Sequence, residues 1–504
     1  MKAISLILII ACGLSFSNKS FTQQHDRNMN MNMDTVKKKT PQKKIQKKAT
    51  AVKKSSPKQN MKMSMPDKKV TSDTAKIAMN MDKNMNMSQM NMTDTSMKGM
   101  GNHEMMMTST YSLNLSISRD GSGTSWVPDA GDEYMLMKMK GKTSLMFHGN
   151  FFLRYTKQDL FNKRNRGGDK FDTPNWFMGM LSQPVGKKGL FSGSAMISLD
   201  RLTEGGSGYP LLFQSGETWN GKKIVDRQHP HDLFSALTIG YSYAIDKNTD
   251  VYGYFGYPGE PALGPPVFMH RNSAMNNPDA PLSHHWQDAT HITFGVTTLG
   301  FRYEIFKAEG SVFTGKEPNE NRYDFDKARF DSYSYRLSLN PNENWALQFS
   351  QGFINSPEAL DPNVDITRTT ASVLYSNFFA KLKAHLDGAL VWGLNSPDVG
   401  QNENSLLLEG NLQFRKSAVY TRYEFVQKSA EELDLYNEFG NTRFNINAVS
   451  VGYNHILLPG QSFDLSAGTK ATLNLTDKKL DPIYGKAPMA GEIYLQLKPR
   501  HHSH

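Results

Sequence analysis

From residue 144 onward, apolar and polar positions alternate with a period of two in short segments rich in Phe, Tyr, Leu and Gly. Ser332-Tyr333-Ser334-Tyr335-Arg336-Leu337-Ser338-Leu339 alternates strictly. Phe147-His148-Gly149-Asn150-Phe151-Phe152-Leu153-Arg154-Tyr155 and Leu299-Gly300-Phe301-Arg302-Tyr303 follow the rule more loosely. The pattern predicts strands over 144–155, 175–183, 189–200, 233–244, 250–257, 291–303, 305–314 and 331–340. It continues over 344–353, 367–377, 380–392, 405–415, 418–427, 444–454, 462–473 and 490–498. These sixteen segments are an even number, and each is long enough to cross an outer membrane as a tilted strand.

The connections alternate as well. Long stretches at 156–174, 201–232, 258–290, 315–330, 354–366, 393–404, 428–443 and 474–489 are separated by short ones. The short ones fall at 184–188, 245–249, 304, 341–343, 378–379, 416–417 and 455–461. Tight turns at one end and long loops at the other are the habit of outer-membrane barrels, and a soluble β-sandwich, the competing reading, has no reason to keep it. The expected fold is therefore all-β, a transmembrane antiparallel β-barrel of about sixteen strands over 144–504, wide enough inside for water. Both chain ends then fall on the short-turn side, which places the N-terminal tail in the periplasm. Residues 108–143 are a linker or a plug.

Composition agrees with this. The mean hydropathy of −0.54 and 38% hydrophobic content are what alternating strands average to. Beyond the N-terminus no run of 18 apolar residues exists, which excludes a helical membrane protein. A single Cys excludes an internal disulfide framework and a thiolate zinc site.

Charge is unevenly placed. Residues 23–107 carry 17 Lys and Arg against 7 Asp and Glu, a surplus equal to the +10 of the whole chain. Residues 108–504 hold 39 basic against 41 acidic side chains, so the folded part is nearly neutral and nucleic acid is not an expected partner.

The first 22 residues read as an export signal, with Lys2 before an apolar run from Ala3 to Leu14 that is too short to span a bilayer. Ile9-Ile10-Ala11-Cys12 also resembles a lipoprotein signal, so processing at Cys12 and cleavage around Ser20 to Gln24 both stand. Residues 23–107 follow as a Lys-, Asn- and Met-rich tail expected to be disordered. Eighteen of the 28 Met lie in residues 1–107. They recur as Met29, Met31, Met33; Met61, Met63, Met65; Met79, Met81; Met85, Met87; and Met90, Met92. A thioether is a soft, uncharged ligand, and two or three on a flexible chain suit Cu(I) or Ag(I). Compositional drift in a biased linker is the alternative origin.

Six of the 14 His fall within residues 229–291: His229, His231, His270, His284, His285 and His291. On the strand map all lie at the long-loop end, with His291 opening a strand and Glu260, Asp288 and the acidic run 317–326 nearby. Imidazoles beside carboxylates such as Asp288 are the usual surroundings of Cu(II) or Zn(II). The competing reading is a structural network in which Arg227 and Arg271 pair with Asp226, Asp232 and Asp288. A hydrolase would need a nucleophile elbow or paired carboxylates, and neither spacing is present around Ser235 or Ser283. His501-His502-Ser503-His504 is a weak chelator at most.

A signal peptide, Met-x-Met clusters from Met29 to Met107 and a barrel after them together resemble the copper resistance proteins of the CopB/PcoB type. Arg227-Gln228-His229-Pro230-His231-Asp232 and His284-His285-Trp286-Gln287-Asp288-Ala289-Thr290-His291 resemble segments of outer-membrane proteins that accompany heavy-metal resistance systems. The likeness implies a non-enzymatic outer-membrane protein of copper or silver resistance or efflux. Its Met tail would take Cu(I), its His residues Cu(II) or Zn(II), and its partners would be lipid, metal ions and periplasmic copper-handling proteins. The other reading is a general solute porin whose His/Arg/Asp loop network is structural.

Overall fold

The computed structural model describes residues 108–161 and 166–500. The signal segment, the Met-x-Met groups from Met29 to Met92 and the terminal histidines lie outside them. The described chain is built almost wholly of strands, because Val, Ile, Tyr, Phe and Thr recur at every second position and suit a pleated surface. In chain order the strands are β1 (Met135–Lys140), β2 (Thr143–Gln158), β3 (Gly168–Asp172), β4 (Asn175–Val185), β5 (Gly189–Ile197), β6 (Tyr209–Trp219) and β7 (Lys222–Gln228). Next come β8 (Phe234–Ala244), β9 (Thr249–Gly256), β10 (Val296–Tyr303), β11 (Phe306–Phe313), β12 (Ser332–Asn342), β13 (Trp345–Ile354) and β14 (Ile366–Phe379). The last are β15 (Ala384–Pro397), β16 (Glu403–Phe414), β17 (Ser417–Ser429), β18 (Arg443–Pro459), β19 (Phe463–Leu475) and β20 (Met489–Pro499).

Every strand of the wall pairs antiparallel with its neighbours, and the last returns to the first, with Phe151 opposite Leu497 and Lys157 opposite Gly491. β3 and β4 form one strand. Arg154 faces Asp172 and Phe151 faces Asn175 in an unbroken register, interrupted only at Thr173-Pro174, where proline has no N–H to give. Counted so, sixteen strands close the cylinder, β1 adds a short arm to β2, and β6–β7 is a separate hairpin. Closure gives each of the sixteen wall strands a partner on both sides, which a lipid environment demands because no water is there to satisfy a free edge.

The burial pattern decides between lipid and water outside. On β12 the buried positions are Ser332, Ser334, Arg336, Ser338 and Asn340, while Tyr333, Tyr335 and Leu337 are exposed. Leu299 is 70% and Ile493 62% exposed, whereas Arg336 and Glu492 are 1% and 3% exposed. A soluble protein shows the reverse. An apolar exterior around a polar interior is stable only with hydrocarbon on the outside, so the soluble all-β alternative is excluded.

All sixteen predicted segments are present, and the departures are local. The segment 189–200 ends at Ile197, because Asp200–Thr203 forms a helical turn. The segment 291–303 begins at Val296, and His291 sits in a tight helical turn over Ala289–His291 instead of opening the strand. The stretch 201–232 contains the β6–β7 hairpin. The alternation of connections holds, with tight turns such as 304–305 and 343–344 at one end.

Candidate functional site

Two pieces of chain fill the space inside the wall. The larger is the connection 257–295 between β9 and β10, which turns inward from the long-loop end. Between Pro258 and Gly295 every residue is buried except the half-buried Met269, His270, Asn272 and Ala289. An irregular segment of this length must find partners for its backbone, and the polar inner faces of the strands supply them. Ser311 and Ser350 accept from the backbone N–H groups of Ala262 and Gly264 at 2.8 Å each. Arg336 donates to the Gly264 carbonyl, Arg422 to that of Asp279 and Tyr494 to that of Asn276.

Ion pairs lock the same loop. Arg271, 1% exposed, donates to Asp288 at 2.7 Å and to Glu409 of β16 at 3.1 Å, and Glu409 also accepts from Arg422 of β17 at 2.8 Å. Asp279 is held between Arg154 and Lys470. Burial opposes charge on Asp288, yet the His284 imidazole and the Arg271 guanidinium beside it hold its carboxyl below the usual carboxylate range. The predicted network is thus present in part. Arg271 pairs with Asp288, but Arg227 donates to the carbonyls of Ser207 and Gly208, Asp226 pairs with Arg166, and Asp232 with Arg322.

The smaller piece is the segment 108–134, which packs among the inward side chains at the short-turn end. Ser112 donates to Asp250 at 2.6 Å, Asn340 to the Val127 carbonyl at 2.9 Å, and the Ala130 N–H to the Glu343 carbonyl at 2.9 Å. The two pieces meet where the Val267 N–H donates to Ser122 and Asn272 donates to the Asp132 carbonyl.

Five of the six predicted histidines come together. Ring-centroid separations run around a closed circuit: His229 to His231 6.3 Å, His231 to His291 5.5 Å, His291 to His284 5.1 Å, His284 to His285 5.3 Å, and His285 to His229 5.6 Å. All five are buried, inside the structure and not on an open rim. Gly216 (φ +116°) makes room for one of them, since a Cβ there would stand 2.3 Å from Cε1 of His285. Each ring turns Nδ1 toward an acceptor. His231 meets Asp200 at 2.6 Å, His284 meets Asp288 at 2.5 Å, and His291 faces the Asp288 carbonyl at 3.1 Å. His229 faces Glu217 and the Pro230 carbonyl at 3.3 Å, and His285 faces Glu317 at 3.6 Å. Asp288 therefore orients two of the five, His284 through its carboxylate and His291 through its carbonyl. Burial, then the neighbouring imidazoles, push His229 and His291 well below the ordinary histidine value, so both rings are neutral at pH 7.

His270 stands apart. It packs on Trp176 (4.7 Å) and His148 (5.2 Å), and burial pushes it down to about 3. These two imidazoles line a cavity of about 50 Å³ together with Met178, Met180, Met196 and Met269. Sequence reasoning missed this thioether group. Met178 and Met180 share a strand side, but the pattern gives no hint that Met269 of the loop comes to them. Ser235 and Ser283 donate to the Asp232 carbonyl and to Glu424, so neither hydroxyl is paired with an imidazole.

The wall and its polar interior define the class: a transmembrane β-barrel of the outer-membrane type. No family model matches the chain, and no curated protein matches it. Among solved structures it is similar to Salmonella typhi OmpF in complex with daunomycin, at 9% identity and a TM-score of 0.46, over 72% of this chain and 100% of that one. It is also similar to an anion-selective porin from Comamonas acidovorans, at 11% identity and a TM-score of 0.41, over 71% and 100%. A third is a loop-deleted OmpT of Vibrio cholerae, at 7% identity and a TM-score of 0.42, over 71% and 99%.

Proposed function

We propose that this protein is a porin-class passage across the outer membrane for small solutes, held shut in this conformation by the 257–295 loop and the 108–134 segment. The observation that carries this reading is the character of the interior. The strands turn Arg154, Arg302, Arg336, Glu409, Lys470 and Glu492 inward, as a water-filled pathway requires and an apolar core does not. The space left between the two inserted pieces is small, with cavities of about 50 and 80 Å³. Conductance in a planar lipid bilayer tests the reading. Full-length protein should conduct weakly, and a variant with residues 262–291 replaced by a short Gly/Ser linker should open a stable channel. A variant that migrates as a folded, heat-modifiable barrel yet adds no conductance would overturn it.

A second reading is favoured by the cavity that Met178, Met180, Met196 and Met269 share with His148 and His270. Soft thioethers in the barrel, downstream of the Met-x-Met groups, suit handling of Cu(I) or Ag(I), with the tail capturing the ion and periplasmic copper-handling proteins exchanging it. Deleting residues 25–107 should lower copper tolerance while the barrel still assembles. Unchanged tolerance together with unchanged metal content would remove this reading.

A further inference from the structure

We propose that His229, His231, His285 and His291 form a binding site for one borderline divalent transition-metal ion, of the Zn(II) or Cu(II) class, which they coordinate through Nε2. This inference does not depend on whether the barrel conducts. Its first support is an imbalance within each ring. Nδ1 of all four is turned toward a carboxylate or carbonyl oxygen, whereas Nε2 of all four is buried and without a hydrogen-bond partner among the described residues. A nitrogen facing an acceptor carries the proton, so in a neutral imidazole the lone pair lies on Nε2. Four buried lone pairs left unmatched in one cluster are costly unless something electrophilic meets them.

Carboxylate-held imidazoles are the arrangement that fixes ring orientation and raises ligand basicity around an ion. Here Asp200 and Glu217 stand 2.6 and 3.3 Å from Nδ1 of His231 and His229, and Glu317 3.6 Å from that of His285. Glu217 is paired with Arg322, so Asp200 and Glu317 supply the negative charge a buried dication needs. Spacing is the second support. Two imidazoles on one tetrahedral ion, each bonded at about 2.1 Å, have centroids about 5 Å apart. Two separations in this set, 5.5 and 5.6 Å, are close to that, and His229 and His231 are further apart at 6.3 Å. Among the described residues no group of three or more His, Cys, Asp or Glu side chains is already arranged to hold a metal ion. Binding therefore requires these rings to close in from the positions they hold here. Imidazole without thiolate selects Zn(II), Cu(II) or Ni(II) over soft monovalent ions and over Mg(II) or Ca(II).

The test uses full-length protein in detergent, stripped with a chelator and titrated with ZnCl2 alone, with metal content measured after gel filtration. Wild type should retain one more Zn(II) per chain than the variant His229→Gln/His231→Gln/His285→Gln/His291→Gln. The tail and the terminal histidines are common to both proteins, so the difference reports the cluster. His148→Gln/His270→Gln should bind like wild type. With Cu(II) as a second probe, electron paramagnetic resonance of wild type should show imidazole nitrogen couplings that the quadruple variant lacks. Equal Zn(II) content in wild type and quadruple variant overturns the proposal, as does a fall in melting temperature with metal binding unchanged. If the quadruple variant loses heat-modifiable migration, His229→Gln and His291→Gln are titrated singly. Binding at least tenfold weaker in both supports the site, and unchanged affinity in both sinks it.

Discussion

Strand β12 and the 257–295 loop lie in the same cylinder and keep their polar groups satisfied in opposite ways. β12 gives its backbone to the strands on either side, Gly310 opposite Tyr335 and Tyr335 opposite Gln351, so its side chains are left to match lipid outside and polar surroundings inside. The loop has no ladder. Some of its carbonyls and N–H groups pair within its own short turns, and others are met by Arg336, Ser350, Arg422 and Tyr494, drawn from strands far apart in sequence. The wall is stabilised by neighbours and by a solvent match repeated sixteen times. The loop depends on a few buried ionic contacts, each of which serves several elements. Failure should therefore be gradual in the wall and abrupt in the filling.

The sharpest way to break the comparison is at Arg271, which joins Asp288 of the loop to Glu409 of the wall. Arg271→Met removes the cation shared by two buried carboxylates and leaves Glu409 to Arg422 and Asp288 to His284, and losing one partner of such a set costs on the order of 3–5 kcal/mol. The loop should undock while the barrel persists, seen as new trypsin cleavage within 257–295 and higher bilayer conductance. Intact protease resistance would mean that the backbone contacts alone hold the loop.

The wall is probed at Leu299, outward on β10. Leu299→Lys places a charge against hydrocarbon, at about 2–4 kcal/mol near the membrane midplane. Urea titration in lipid vesicles should move by that amount with loop protection unchanged. No shift at all would place Leu299 outside the apolar belt.

The smallest effect concerns pH and Glu260, in the inserted loop. Burial pushes its carboxyl up to about 8, with Arg336 beside it opposing the shift. The folded protein holds a proton that the unfolded chain, near the ordinary 4.5, has already released. Stability from this group is therefore fully present below about 4.5 and is lost as pH rises toward 8. Melting temperature should fall between pH 5 and pH 9, and Glu260→Gln should flatten that part of the profile. An identical slope in the variant would assign the pH dependence to other groups.

Much of the wall was legible because its rule is local. A period of two, a tight turn and another period of two can be read without knowing what lies across the sheet, and Ser332 to Leu339 announced its two faces unaided. Boundaries slipped where tertiary contacts intervened, as at Ile197, where Asp200 starts a helical turn and accepts from the N–H of Asn175. The candidate site was half legible. The strand map put six histidines at one end, but it did not separate His270, which packs on Trp176, from the five that touch one another. Nor did it show that Arg227 would turn to the Gly208 carbonyl and leave Asp288 to Arg271.

By itself, the sequence determined the alternating wall, its sixteen spans, the long and short connections, and the separation of a basic Met-rich tail from a nearly neutral body. These follow from hydropathy and charge summed along neighbouring residues. Only the tertiary structure decided that a 39-residue loop folds inward, that five imidazoles gather in one buried cluster in which four Nε2 atoms are unpartnered, and which arginine meets which carboxylate. Those outcomes depend on which inward side chains come face to face once the sheet closes, and no period along the chain encodes distance across a lumen.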